Sequence, residues 1–251
     1  MSNKEFNICP LCNENRATKK SSHIFPRFMG VSIAKTSDGK RKGFTIGEKG
    51  KVRVSQDSPK ENYILCPNCE SLIGKLETIL ANNLINNIKN AEFLSEFSIE
   101  QHSGYKKALI PTIKNKDLKR VILSMLLRAY ITSRKEFSNC KLSPEQFQIL
   151  RKAILDEDYT DVPMVILTST DENYSSNFYC AYSSGDSGVH LLWINDYWIH
   201  IFFDETNPHI NQFPAVLLRE EEPPFIGLIP PKNWEIMRQD FMKTMIKLNS
   251  K

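Results

Sequence analysis

The sequence predicts an α+β chain: a cysteine-stapled N-terminal module, then a helical and antiparallel-sheet domain. Three observations predict it. Cys9/Cys12 and Cys66/Cys69 form two Cys-x-x-Cys pairs, the spacing at which four thiolates close a tetrahedral zinc site. Apolar residues recur at helical spacing over 70–90 and again over 115–135. After Val162 the chain turns to short β-branched and aromatic runs, PMVILTST, NFYCAY, GVHLLWIN and YWIHIFFD, which read as strands.

Taken in order, residues 9–12 read as a knuckle, a tight turn presenting two thiolates. SSHIFPRFM (21–29) reads as a short strand or turn leading into a helical stub. Residues 35–54 hold seven Lys and Arg and four Gly, which predicts a hairpin or mobile loop with Phe44-Thr45-Ile46 and Val52-Arg53-Val54 as its strands. Cys66-Pro-Asn-Cys69 is the second knuckle. From Glu70 to about Asn90 a helix is expected on Leu72, Ile73, Leu76, Ile79, Leu80, Leu84 and Ile88. Residues 91–112 look polar and irregular, which places a domain boundary there. An amphipathic helix over 115–135 has Leu118, Val121, Ile122, Met125, Leu126 and Tyr130 as its buried stripe. Another helix opens with Ser143 at N-cap and Pro144 at N1. The strands follow, with Asn195-Asp196 as a hairpin turn. Pro223-Pro224 and Pro230-Pro231 punctuate a loop, and a helix over 233–248 closes the chain. The expected division is a zinc-binding module over 1–90, a linker over 91–114 and an α+β domain over 115–251.

Composition narrows the class. With 41% apolar and 25% charged residues, the 251-residue chain is an ordinary globular one. No apolar run approaches the length of a membrane span, and MSNKEFNICP carries no apolar leader, so a cytoplasmic location without a membrane partner is expected. Six cysteines then read as four ligands plus Cys140 and Cys180 as buried structural thiols. The net charge of +4 is uneven. Residues 1–60 hold 13 Lys and Arg against 5 Asp and Glu, while the remainder holds 20 against 24. Positive charge gathered beside a metal site favours a polyanionic partner. Lys40, Arg41, Lys42, Lys49, Lys51 and Arg53 are the candidate phosphate contacts.

Between the pairs stands His23, and Glu70 directly follows the last cysteine. Hydrolysis of a phosphodiester needs a base for the attacking water and a cation for the leaving oxygen. His23 is the candidate base and Glu70 the candidate ligand of a hard ion such as Mg²⁺ or Mn²⁺, since a zinc with four sulfurs has no open position.

Cys9-Pro-Leu-Cys12, Ser22-His23-Ile24-Phe25-Pro26 and Leu65-Cys66-Pro-Asn-Cys69-Glu70 together resemble the zinc-bound branch of the HNH, or His-Me finger, nucleases. They also resemble bacterial proteins that share Ser-His-Ile-x-Pro and Leu-Cys-x-x-Cys-Glu segments. The resemblance covers residues 9–80. It implies a β-β-α finger, His23 as general base, Glu70 as a ligand of the catalytic ion, and Glu61 or Asn62 near the family's middle asparagine. It also implies DNA as substrate, a role in defence against phage, and a second copy or a defence protein as partner. Two positions depart from the family: Ser22 stands where an acidic residue is usual, and Glu70 where His or Asn is. Asp57 or Glu61 are the expected substitutes for the missing acid.

Each residue also has a plainer reading. His23 could be structural, bonded to backbone, and Glu70 an ordinary N-terminal helix carboxylate. His190 and His200 read as sheet residues, and Trp193, Trp198 and Trp234 as core. The competing function is a non-catalytic zinc module that binds nucleic acid or another protein.

Overall fold

A computed structural model describes residues 7–26, 28, 43–46, 52–55, 58–82, 99–102, 105–110, 113–156, 159–169, 178–184, 188–194, 197–213, 217–218 and 224–249. Among these, the chain is mixed α and β. Two-residue strands β1 (Ser22–His23) and β4 (Lys60–Glu61) pair antiparallel. The other strands are β2 (Gly43–Ile46), β3 (Val52–Ser55), β5 (Ile99–His102), β6 (Tyr105–Leu109), β7 (Met164–Ser169), β8 (Phe178–Ser184), β9 (Val189–Ile194), β10 (Tyr197–Phe202), β11 (Leu217–Leu218) and β12 (Phe225–Ile229). They form one sheet in the order β3-β2-β8-β9-β10-β7-β12-β6-β5, with β11 paired to β7. Pairing is antiparallel except for β2 with β8 and β12 with β7.

Four helices are described: α1 (Pro67–Leu80), α2 (Asn115–Ile131), α3 (Pro144–Leu155) and α4 (Pro231–Asn249). Helix α1 starts earlier than expected. Cys66 is its N-cap, accepting from the Cys69 N–H, and Pro67 fills N1, where the missing N–H costs nothing. The part of the expected helix beyond residue 82 lies outside the described residues. Helix α3 opens as expected: Ser143 accepts from Gln146 N–H, and the Gln146 side chain bonds back to Ser143. Pro231, expected in a loop, is instead the first residue of α4.

Helix α2 differs from its expected stripe. Every residue from Leu118 to Ala129 is buried, including Lys119, Arg120 and Arg128. Each cation has a fixed partner. Lys119 pairs with Asp161 and donates to Leu218 O at 3.1 Å. Arg120 donates twice to Ile154 O, at 2.7 and 3.1 Å. A helix ringed by protein needs such partners, because an unpaired buried charge is very costly.

The stretch 91–114, read from sequence as a linker, contains β5 and β6 at one edge of the sheet. Within 35–54, expected as a hairpin or mobile loop, the two candidate strands pair antiparallel as β2 and β3, and β2 runs parallel to β8. Sheet alternation puts Trp198, His200 and Phe202 on one face of β10. Helix α4 covers that face: Trp234 and Phe241 pack on Trp198, with ring centroids 6.4 and 5.3 Å apart. Toward the opposite face, the segment after α2 brings Lys141 N–H to Ser183 Oγ at 2.8 Å. Cys140 and Cys180 are buried and unbridged, and Trp193 and Trp234 are fully buried. No helix among the described residues is long and apolar enough to cross a membrane.

Candidate functional site

The first knuckle is a hairpin built on backbone bonds. Cys9 N–H donates to Asn15 O at 2.7 Å, Asn13 N–H to Cys9 O at 2.9 Å, and Ile8 bridges Arg16. Asn13 takes the left-handed conformation, φ 58°, which Asn adopts more readily than most residues. The second knuckle is the N-terminus of α1, where the Cys69 N–H points at Cys66 Sγ from 3.4 Å. Strand-like bonds join the two: Lys19 N–H donates to Leu65 O and Tyr63 N–H to Lys19 O, at 3.1 and 2.7 Å.

The sulfurs of Cys9, Cys12, Cys66 and Cys69 all lie within 4.8 Å of one another. Those of Cys12 and Cys66 are 3.9 Å apart. Four sulfurs about 2.3 Å from one zinc stand about 3.8 Å apart, so the donor set and its spacing fit that ion. A hydrogen bond from Cys69 holds the Cys9 thiol down to about 4, and Cys69 is pushed up in return. The four cysteines could therefore hold a metal ion such as zinc. They are the one group of three or more His, Cys, Asp or Glu side chains so arranged among the described residues.

Of the predicted catalytic residues, Glu70 directly follows Cys69, and His23 lies on the short strand that carries Ser22. Ser22 and His23 form β1, pinned by the Ser21 N–H to Asn62 Oδ1 bond of 2.8 Å and by Ile24 N–H to Pro59 O at 2.8 Å. Glu70 sits in the first turn of α1. Burial raises the Glu70 carboxyl above its usual value, against the opposing charge of Arg128 and the nearby Ser22 hydroxyl. The Ser22 hydroxyl is close enough to act on Glu70 without the geometry of a full hydrogen bond. Position 22 thus faces position 70. Glu70 Oε2 is buried with no hydrogen-bond partner among the described residues.

Arg128 ties these pieces together, and sequence reading missed it. Its guanidinium donates to His23 O at 2.7 Å and to Ser124 O at 3.3 Å, and pairs with Glu77. Glu77 stands two helical turns after Glu70 on α1. Two more arginines act alike: Arg134 donates to Lys60 O at 3.0 Å and Arg151 to Leu11 O at 2.8 Å. Three arginines from the helical part thereby hold backbone carbonyls of the cysteine-bearing segment. On sequence, each reads as an ordinary polar position of a helix or its flank.

Glu61 is not free to replace an acid at position 22. Its carboxylate accepts from Thr132 Oγ1, from Ser133 N–H at 3.0 Å and from Ser133 Oγ at 2.6 Å. Asp57, Lys40, Arg41, Lys42, Lys49 and Lys51 lie outside the described residues. The backbone of Arg53 lies in β3, opposite Thr45. No family model, curated protein or solved structure matches this chain.

Proposed function

We propose that residues 9–80 form a zinc-stapled, HNH-like nuclease site that hydrolyses DNA phosphodiester bonds. One observation carries this reading: the Ser22 hydroxyl approaches Glu70, which directly follows the last of four clustered cysteines and keeps a buried carboxylate oxygen without a hydrogen-bond partner among the described residues. In this reading zinc is structural. It fixes the start of α1, and with it Glu70. His23 takes the proton of the attacking water, whose oxygen bonds to phosphorus as the bond to the leaving sugar oxygen breaks. Arg128 holds the His23 backbone in place through its carbonyl. A Mg²⁺ or Mn²⁺ ion at Glu70 would supply charge stabilisation at the leaving oxygen. The basic segment around Lys40–Lys42 and Lys49–Arg53 supplies phosphate contacts, and bacterial anti-phage defence is the setting that the resemblance implies.

The second reading, a zinc module that binds nucleic acid without cutting it, draws support from Ser22. A fully buried hydroxyl supplies no charge where the family's usual pattern has a carboxylate. Incubation of the chain with supercoiled plasmid and Mg²⁺ or Mn²⁺ separates the two. The nuclease reading expects cleavage that drops about 10²–10⁴-fold in His23→Ala, with DNA binding retained. Salt-dependent binding with no cleavage in either metal selects the second reading.

A further inference from the structure

We propose that Cys12 is a site of oxidation by hydroperoxides, and that its oxidation replaces the zinc staple with a Cys12–Cys66 disulfide. The proposal rests on zinc occupying the four cysteines and is independent of the nuclease reading.

The four sulfurs are not equally reachable. Cys9 and Cys66 are fully buried and Cys69 is 4% exposed. Cys12 is half-buried, and the residues that follow it, Asn13 to Arg16, are exposed. The sulfurs all lie within 4.8 Å of one another, so within this cluster Cys12 is the one that a small solute meets first. A zinc-bound cysteine stays a thiolate, the form that attacks an oxidant.

The neighbours of Cys12 decide which thiolate resolves the oxidised sulfur. Cys66 Sγ lies 3.9 Å away, on a residue 54 positions along the chain. Cys66 is the N-cap of α1, with extended backbone (φ −81°, ψ 161°). Its side chain can turn toward Cys12 at the loss of one N–H contact, that from Cys69 at 3.4 Å. Cys69 instead lies inside the first turn of α1, and Cys9 is held at both its N–H and its carbonyl by Asn15 and Asn13. The helix N-terminus also favours the thiolate of Cys66. On the other side, Arg151 of α3 holds Leu11 O at 2.8 Å, so the residue beside Cys12 is fixed by a contact that does not pass through zinc.

The chemistry takes two steps. The Cys12 thiolate attacks one oxygen of hydrogen peroxide. An S–O bond forms, the O–O bond breaks, and the other oxygen leaves as hydroxide, which solvent protonates to water. Cys12 is then a sulfenic acid. The Cys66 thiolate attacks that sulfur: the S–S bond forms, the S–O bond breaks, and hydroxide leaves to become a second water. Together the two thiolates have lost two electrons, and the peroxide has gained them. Cys9 and Cys69 alone leave two of the four positions of a tetrahedral zinc without sulfur, so the ion is released. The disulfide joins the same two knuckles, so the hairpin at residues 9–15 and the start of α1 remain tethered.

The full chain is first assayed for zinc and then treated with hydrogen peroxide in molar excess. A colorimetric chelator follows zinc release, and peptide mass spectrometry without reductant maps the disulfides. One zinc per chain should be present at the start and leave in step with a Cys12–Cys66 cross-link. Dithiothreitol and added zinc should restore it. With dimedone present during oxidation, the label should fall on Cys12. The proposal is overturned if the cross-link maps to any other pair, or if dimedone labels Cys9, Cys66 or Cys69 instead. A chain that starts with zinc and keeps it in peroxide overturns this proposal alone, whereas a chain that carries no zinc overturns it together with the staple.

Discussion

Arg128→Ala is expected to destabilise the chain by about 4 kcal/mol. Arg128 is 1% exposed and pairs with Glu77, whose side chain is 19% exposed. Removing one partner of a buried ion pair costs about 3–5 kcal/mol, and the partial exposure of Glu77 pulls this toward the lower end. The His23 carbonyl also loses its 2.7 Å donor, and a hydrogen bond to a charged group contributes about 1.5–3 kcal/mol. The two losses overlap, because water entering the gap serves both groups, so the total lies below their sum. Urea unfolding followed by far-UV circular dichroism and tryptophan fluorescence measures it. Glu77→Gln in the same background isolates the ion pair: with the charge gone, Arg128→Ala should cost at least about 1 kcal/mol less. A loss below about 1 kcal/mol for Arg128→Ala alone, or no coupling to Glu77, would refute the view that this arginine joins the two parts of the chain.

Three further outcomes concern the cysteine cluster, a buried histidine and the basic segment. Metal analysis of chain purified without chelator should give one zinc per molecule, and Cys12→Ser should lose it, with hydrogen exchange rising first across 7–26 and 58–80. A zinc-free preparation that keeps its native exchange pattern would sink the stapling role. His190 is 3% exposed, and burial holds it near 4. The unfolded chain therefore takes its proton near 6.5 and the folded chain does not. Stability from this group is full above pH 6.5 and falls by up to about 3 kcal/mol as pH drops toward 4. Denaturation curves at stepped pH read this slope, and His190→Gln should flatten it. Replacing Lys40, Arg41 and Lys42 with Gln should reduce the salt slope of DNA binding by about two to three, and an unchanged slope would move the contact surface elsewhere.

What sequence could and could not reveal divides along physical lines. The cysteine cluster was legible because metal ligation imposes spacing on neighbouring residues, and the N-cap at Ser143 because capping is local. Strands β7 to β10 announced themselves by β-branched and aromatic content. Strands β5 and β6 did not, since IEQH and YKKAL lie at or next to a sheet edge where polar residues are tolerated. Strand β12 hid between two proline pairs, both compatible with a strand that merely starts and stops there. Arg128 was invisible because its partners are a backbone carbonyl 105 positions away and a carboxylate 51 positions away. No local pattern marks a polar side chain as buried when the elements that bury it come from elsewhere.

The parallel pairing of β2 with β8 bears on any attempt to cut the chain. Phe44 and Thr45 lie beside Phe178 and Tyr179, so the outer edge of β8 is sealed by residues from the cysteine-bearing segment. A fragment starting near residue 115 would keep α2, α3 and the strands from β7 onward, but it would bare that edge. Exposed backbone donors and acceptors along an aromatic strand invite pairing with another copy. Such a fragment would be prone to self-association, and its behaviour would report on a wound in the sheet rather than on an independent domain.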